Sequence, residues 1–263
     1  YRSCSGLILL ATLGLLPALA LGQTALPVNP RIAAGAATVS TNAARMDVTQ
    51  TSQNAVLNWQ SFNIGSAAQV NFAQPNASAV ALNRVLSSDP SAIYGKLSAN
   101  GQVFLVNQAG VLFGSGSRVD VGGLVASTMD VSDADFMNGR YAFGIGPRSI
   151  QNGSVLNEGS ITTTQGGYVA LLAPEVRNEG VILARLGSIG IGAGEAAVLD
   201  FQGDQLVGMQ IEPATIKTLI ESKQAIEAAR PQALVWALER GSRSGRVAYQ
   251  FALDYAGQHA IPA

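Results

Sequence analysis

Three closely spaced aspartates are the first candidates for chemistry in this chain. Asp130, Asp133 and Asp135 stand in the segment MDVSDAD, and neighbouring carboxylates can bind a calcium ion. Their spacing lacks the full pattern of a calcium loop, so we favour solvated acids in a turn. The single histidine, His259, lies close to the end of the chain, and a Ser-His-Asp site would need that end to dock elsewhere. The sequence therefore predicts no catalytic residues, no metal site and no cofactor.

Two further patterns imitate ligand-binding motifs. The glycine-rich stretches at 114–116 and 190–194 lack the following helix and the lysine of a phosphate-binding loop. A set of aromatic residues could form a sugar-stacking surface, but aromatic residues in short strands pack more often into a core. The set comprises Trp59, Phe62, Phe72, Tyr94, Phe104 and Phe113. We expect core packing for these residues.

Composition restricts the class of protein. The 263 residues are 48% hydrophobic and 13% charged, about half the charged share of roughly 25% in average globular proteins. The net charge of −1 gives no electrostatic footprint for a nucleic-acid partner. The only cysteine is Cys4, which lies in the leader described next. The mature chain therefore has no disulfide.

The first 22 residues are typical of a secretory signal peptide. An apolar run at 6–16 is followed by Pro17 and by the small-residue pattern Ala18-Leu19-Ala20, so we expect cleavage after Ala20 or within the next few residues. The run is shorter than the roughly 20 residues of a membrane-spanning helix. Arg2 is the only basic residue before the apolar run, and the sequence does not start with an initiator Met. We therefore expect further residues upstream. Export at least to the periplasm of a Gram-negative cell follows.

Short apolar runs between about residues 46 and 201 predict an all-β fold. VFLV at 103–106 and VLF at 111–113 are examples, and each run is bounded by Gly, Asn, Ser or Pro, which favour turns. β-branched and aromatic residues fill the runs, and none has a long period of 3.6 residues.

One internal repeat predicts stacked coils. NEGSI at 157–161 returns as NEGVI at 178–182, and Val155 returns as Val176. A period near 20 residues with short strands indicates a solenoid. We expect Asn157 and Asn178 to stack as an amide ladder, and the glycine after each Asn-Glu pair to supply a positive φ at a corner.

The composition changes near residue 211. Of the 29 glycines, 26 precede that point. Glu212-Pro213 opens a predicted helix with Ile216, Leu219, Ile220 and Ile226 near one face. We therefore divide the chain into the signal peptide 1–22, a β-helix domain 24–210, a helical cap or connector 211–230 and an atypical tail 231–263.

Several motifs in order resemble the N-terminal secretion domain of filamentous haemagglutinin-like proteins, the exported partners of two-partner secretion. They are NWQSFNIG at 58–65, LNRV at 82–85, GQVFLVN at 101–107, VGGLVAST at 121–128 and GYVALLAP at 167–174. The resemblance implies a right-handed single-stranded parallel β-helix, a pectin-lyase-like solenoid. It also implies an N-terminal cap and a small extra-helical β element.

By the same resemblance, the domain is recognised by an outer-membrane transporter whose periplasmic transport-associated domains bind the unfolded chain. The helix then folds outside the cell and templates the following coils, so the product is secreted or displayed at the cell surface. The recognition and turn residues implied by the motifs are Asn63, Asn83, Arg84, Asn107, Gln108, Ala109 and Gly110. Host-cell glycans are a further partner, through a downstream region.

Two departures from the family pattern accompany this interpretation. The family usually carries Asn-Pro-Asn-Gly where this chain has Asn107-Gln108-Ala109-Gly110; a turn remains feasible without a proline that pre-sets φ. The residues after about Ala228 do not resemble a coil. We therefore expect a truncated, frame-shifted or fragmentary member of the family.

The role of Arg84 and the class of the protein both stay open at this point. Arg84, which lies in an apolar strand, is either a transporter contact or a satisfied residue at the edge of the core. The chain could instead be a β-helix polysaccharide lyase or hydrolase, although the basic residues between 103 and 201 lack a matching acidic cluster. A surface protein that binds haem carriers or host glycans is the third class.

Overall fold

The computed structural model describes residues 22–146, 153–194, 196–202, 205–212 and 234–237. They form a β-solenoid of about six turns, which confirms the predicted fold class. The predicted signal peptide, apart from Gly22, lies outside the described residues. The predicted helix over 211–230 also lies outside them, except that Ile211 and Glu212 end a strand.

Antiparallel strands cap the N-terminal end of the solenoid. Four strands take part: β1 (Arg31–Ala34), β2 (Ala37–Asn42), β3 (Arg45–Gln50) and β4 (Asn54–Trp59). Strand β1 pairs with β4 and β2 pairs with β3, both antiparallel, whereas β3 and β4 begin the parallel walls. The predicted N-terminal cap is therefore present.

Three parallel walls surround the core. Strands of the remaining chain, numbered in chain order, are β5 (Gln69–Ala73), β6 (Val80–Val85), β7 (Ser91–Ile93), β8 (Lys96–Ala99), β9 (Gln102–Val106), β10 (Val111–Phe113), β11 (Arg118–Ser127), β12 (Tyr141–Gly144), β13 (Ser154–Asn157), β14 (Ser160–Ala173), β15 (Glu175–Asn178), β16 (Val181–Leu183), β17 (Ser188–Ala193), β18 (Ala196–Gln202), β19 (Gln205–Glu212) and β20 (Leu234–Ala237). The first wall runs β4-β6-β9-β11-β14-β17-β20, the second β3-β5-β8-β11-β14-β16 and the third β7-β10-β13-β15. The long strands β11 and β14 belong to two walls because each turns a corner partway along.

The first wall is buried on both faces. In β9, Val103 and Leu105 point into the solenoid, while Phe104 and Val106 point outward into a second apolar cluster. An extra-helical layer covers this outer face: the short helix α1 (Asp133–Met137) and the antiparallel sheet β12-β18-β19. Burial on both sides explains why these strands read as continuous apolar runs rather than alternating ones.

The predicted repeat corresponds to stacked coils. Val155 pairs with Val176, and Asn157 with Asn178, in parallel register. Asn157 Nδ2 donates to Asn178 Oδ1 at 2.7 Å, so the amide ladder is confirmed. Further along, Val169 pairs with Ile189, so the spacing there is 20 residues rather than 21.

The reason predicted for the repeated glycines is wrong. Neither Gly159 nor Gly180 has a positive φ. A Cβ on Gly180 would lie 2.1 Å from the carbonyl oxygen of Gly159, and a Cβ on Gly159 would lie 2.0 Å from Ser117 Oγ. These glycines are therefore needed because successive coils approach too closely for any side chain.

Candidate functional site

The turn after β9 closes without the proline of the family pattern. Asn107 Oδ1 accepts the Ala109 N–H at 2.9 Å, and the Asn107 carbonyl accepts the Gly110 N–H at 3.0 Å. Asn107 Nδ2 donates to the Asp89 carbonyl and to Ser91 Oγ, both at 3.0 Å. Asn107 is fully buried, so its side chain fixes this turn and ties it to the preceding coil.

Gln108 connects the turn to the extra-helical layer. Its side chain is 5% exposed, and Nε2 donates to Asp130 Oδ2 at 3.3 Å. Gly146 lies so close that a Cβ there would be 2.4 Å from Gln108 Nε2. Gly110 ends the turn with a φ of 132°, a conformation that favours glycine.

Asn63 and Asn83 also have partners within the fold. Asn63 Oδ1 accepts the Ala92 N–H at 2.8 Å, which ties one corner to strand β7. Asn83 lies inside the solenoid, fully buried, and its Oδ1 accepts the Trp59 indole N–H at 3.0 Å. Its Nδ2 donates to the carbonyls of Ala81 and Phe104 at 3.2 and 3.4 Å. A buried asparagine with these bonds is a satisfied core residue.

Arg84 holds the extra-helical layer against the solenoid. Its Nε contacts Asp130 Oδ1 at 2.8 Å and its Nη1 contacts Asp133 Oδ1 at 2.5 Å. Nη2 donates to the Val131 carbonyl at 2.5 Å and Nη1 to Asn58 Oδ1 at 3.4 Å. We call Arg84, Asp130, Val131 and Asp133 the arginine clamp.

Electrostatics favour the charged state of the clamp. Burial opposes the charge on Arg84, but hydrogen bonds and charges from Asp130 and Asp133 outweigh it and raise the pKa of the guanidinium above its ordinary value. The third aspartate is engaged elsewhere: hydrogen bonds from Ser132 and Arg140 lower the pKa of Asp135. All three carboxylates thus have cationic partners, which disfavours the calcium interpretation. The described residues contain no cluster that could hold a metal ion.

A shallow groove of about 440 Å³ lies beside the clamp. Two of its lining residues, Leu86 and Ile145, are exposed apolar side chains, at 37% and 53%. The groove therefore combines a polar floor, in which the charges are paired, with two apolar flanks.

The structure brings most of the predicted site residues together near one corner, but it buries them. Asn83, Arg84, Asn107, Gln108 and Gly110 are buried, whereas Asn63 and Ala109 are partly exposed. Sequence reasoning missed their partners Asp130, Val131, Asp133, Asp89 and Ser91. Only for Arg84 did the sequence indicate the type of partner, because an arginine in an apolar strand needs a carboxylate partner.

The aromatic residues pack as predicted, with one exception. Trp59, Phe62, Phe72, Phe104 and Phe113 are at most 1% exposed, whereas Tyr94 is 43% exposed. Trp59 and Phe62 meet edge to face at 5.3 Å inside the solenoid. The five buried rings cannot form a sugar-stacking surface.

Comparison with known proteins assigns the fold to a family. The model of the TPS secretion domain matches residues 23–242. This chain belongs to the TPS secretion domain family, the N-terminal domains of two-partner secretion exoproteins. Proteins with a TPS domain are recognised by a TpsB outer-membrane transporter and secreted. The matched range extends beyond Ala228 and includes β20. The domain boundaries given in the sequence analysis remain predictions.

Individual relatives agree with this assignment. The TPS domain is 31% identical over 208 residues to a heme/hemopexin-binding protein of Haemophilus influenzae, covering 77% of this chain and 23% of that protein. A second heme/hemopexin-binding protein of the same species is 41% identical over 119 residues, which cover 45% of this chain and 12% of the relative. The crystal structure of the HMW1 secretion domain, also from Haemophilus influenzae, matches with a TM-score of 0.66 at 30% identity and covers 71% of this chain and 50% of that one. The TPS domain thus spans about a quarter of the length of the first relative. Within its described residues, no helix has the length and hydrophobicity to cross a membrane.

Proposed function

We propose that this TPS domain delivers a longer exoprotein to its outer-membrane transporter, and that the periplasmic domains of the transporter bind the chain before it folds. The burial of the corner residues supports this order of events. In the folded domain, the polar atoms of Asn83 and Asn107 are bonded to partners in the same chain. A transporter that reads these side chains must therefore meet them in the unfolded chain.

Folding after export gives the same residues a second role. Once outside, Asn107, Gln108 and Arg84 bind their partners in neighbouring coils and in the extra-helical layer. Strands β15 and β16 end their walls in the described residues, each paired on one side only. Their free backbone groups offer a template for the next coil. The domain thus nucleates the β-helix of the exoprotein at the cell surface.

The downstream region carries the ligand-binding activity in this proposal. Two relatives are named heme/hemopexin-binding proteins, and most of their length lies outside the match. We propose that the exoprotein is an adhesin, toxin or haem-acquisition protein that binds host components, glycans included, through that region. The signal peptide of residues 1–22 supplies the first step, export to the periplasm.

A secretion assay with matched variants tests the proposal. The chain is expressed with a complete signal peptide and the cognate transporter, and the amount in the medium is compared with the amount in the periplasm. Asn107→Ala removes one corner side chain, and Asn178→Ala removes a buried amide of comparable type outside the corner. We expect Asn107→Ala to reduce secretion severalfold and Asn178→Ala to be secreted as wild type, with lower protease resistance of its product.

The comparison separates recognition from stability. Both variants lose buried hydrogen bonds, so both are expected to be less stable by about 1–3 kcal/mol. Equal secretion of the two variants would contradict direct reading of the corner by the transporter. Secretion of wild type without the transporter would contradict the proposed function itself.

A further inference from the structure

An exposed Asn-Gly pair ends the helix of the extra-helical layer. Asn138 is the C-cap of α1, and Gly139 follows it with a φ of 70°. Both residues are exposed, and the secretion function described above does not use them. The pair has a chemistry of its own, because a glycine has no side chain to keep its backbone nitrogen away from the preceding asparagine amide.

The reaction open to this pair is an intramolecular attack. The Gly139 backbone nitrogen gives its proton to solvent and forms a bond to Asn138 Cγ. The side-chain amide nitrogen takes up a proton and leaves as ammonia, and a succinimide ring remains. Water then opens the ring: attack at Cγ gives aspartate, whereas attack at the main-chain carbonyl gives isoaspartate, in which the backbone runs through Cβ. In sum, water is consumed and ammonia is released, without an oxidant or a cofactor.

The bonds that hold the pair are those of a helix end. Asn138 Nδ2 donates to the Ala134 carbonyl at 2.7 Å, and the Gly139 N–H donates to the Phe136 carbonyl at 3.0 Å. Both bonds must open before the nitrogen reaches Cγ. Because α1 has only five residues and its last turn is exposed, this opening requires little free energy.

The Asn100-Gly101 pair is held much more firmly. Asn100 Oδ1 accepts the Gln74 N–H at 2.7 Å, and its Nδ2 donates to the Gln74 carbonyl at 2.8 Å. Gly101 is buried, and its N–H donates to Gln74 Oε1 at 3.1 Å. A Cβ on Gly101 would lie 2.7 Å from the Ala79 carbonyl oxygen, so this peptide has little room to rotate. Asn100 therefore provides an internal comparison with the same dipeptide in a closed structure.

We propose that Asn138 is a site of spontaneous deamidation in the folded domain, and that isoaspartate at this position loosens the extra-helical layer. The added Cβ lengthens the backbone between two sets of contacts that fix the helix end. Before it, the Met137 carbonyl accepts Asn54 Nδ2 of the solenoid at 3.3 Å. After it, Arg140 pairs with Asp135 at 2.6 Å. The new carboxylate also lies at the negative end of α1, where a negative charge is unfavourable.

The disturbance extends to the aromatic cluster that covers β9. Tyr141 follows shortly after the modified turn and packs against Phe104 and Phe136, with ring centroids 5.1 and 5.9 Å away. A displaced turn moves Tyr141 relative to these rings, so the layer loses apolar contact with the first wall. The modification therefore weakens this layer progressively as the exported product ages.

Peptide mapping of the full chain during storage for several weeks at neutral pH tests the site. Trypsin cuts after Lys96, Arg118 and Arg140, so Asn100 and Asn138 fall in separate peptides, and fragmentation in the mass spectrometer distinguishes isoaspartate from aspartate. In the folded chain we expect Asn138 to deamidate about tenfold faster than Asn100 or more, because it opens more easily. In concentrated urea both pairs are unfolded, and their rates should become similar.

Asn138→Gln is the matched variant for the effect on the layer. Glutamine keeps an amide at the helix end but closes the corresponding ring far more slowly. Hydrogen exchange in β12 should accelerate as wild type ages and should stay unchanged in aged Asn138→Gln. Deamidation of folded Asn138 no faster than that of folded Asn100, or the same difference between them in urea, would overturn the proposed site. Equal β12 exchange in fresh and fully deamidated wild type would overturn the proposed loosening.

Discussion

Replacing Arg84 with methionine should detach the extra-helical layer from the solenoid. Methionine can occupy much of the space of the hydrocarbon stem, but it provides no donors. The variant loses the contacts to Asp130, Asp133 and the Val131 carbonyl at 2.8, 2.5 and 2.5 Å. Because the Arg84 side chain is only 10% exposed, water cannot fully replace it at the two carboxylates.

The size of the effect follows from those contacts. The contacts to Asp130 and to the Val131 carbonyl are charge-assisted and largely buried, worth about 1.5–3 kcal/mol each before compensation. The Asp133 side chain is 44% exposed, so its share is about 0–1 kcal/mol. Apolar packing of methionine offsets part of the loss, and we expect a net decrease in unfolding free energy of about 2–4 kcal/mol. With a urea m-value of about 2 kcal/mol/M, the midpoint falls by about 1–2 M.

Urea unfolding of the purified chain and amide hydrogen exchange measure this change. Exchange should accelerate first in α1 and β12, which the clamp holds, while the inner walls stay protected. Arg84→Lys should recover only part of the loss because an ammonium cannot reach the three acceptors together. Arg45→Met is the matched control, since the Arg45–Asp47 pair lies on the surface, and it should leave the midpoint unchanged. An Arg84→Met midpoint within error of wild type, with unchanged exchange in β12, would refute the clamp.

Three further predictions concern stacking and charge. Gly180→Ala should prevent folding, because the added Cβ would lie 2.1 Å from the Gly159 carbonyl oxygen. Gly144→Ala is the control and should fold, because its Cβ would have no atom within 4 Å. Circular dichroism compares the two variants, and a folded Gly180→Ala chain would contradict the argument. Asn178→Ala leaves Asn157 Nδ2 buried without its acceptor and should cost about 1–3 kcal/mol in urea unfolding; a loss under about 0.5 kcal/mol would show that the ladder contributes little. Because burial raises the pKa of Tyr141, the unfolded chain loses this proton first, so stability should fall as the pH rises above about 10. Tyr141→Phe should lose less stability than wild type between pH 9 and about 11. If the unfolding free energies of the two proteins fall in parallel over this range, titration of Tyr141 is not the cause.

Features encoded by local patterns were predictable from the sequence. The NEG repeat at 157–159 and 178–180 gave the parallel register of β13 and β15, because identical corners stack on each other. Short apolar runs between turn residues identified the all-β class. The Asn107 turn was also foreseeable without its proline, since asparagine and glycine keep their places at its ends.

Features that depend on distant parts of the chain were not predictable. Arg84 and Asp130 are 46 residues apart, and nothing in either segment specifies that the extra-helical layer folds back over β6. The glycines of the repeat were predicted for the wrong reason, because a backbone approach between coils leaves no local signal. Tyr141 of β12 packs against Phe104 of β9, and only tertiary packing places these two strands together.

Transporter-dependent release into the medium tests the central claim most directly. The chain, with a complete signal peptide, is expressed with and without its cognate transporter, and the medium is treated with protease to detect folded product. We predict that the chain is released only when the transporter is present, and that the released domain is folded and resists the protease. Retention in the periplasm despite the cognate transporter, or equal release without it, would contradict the account.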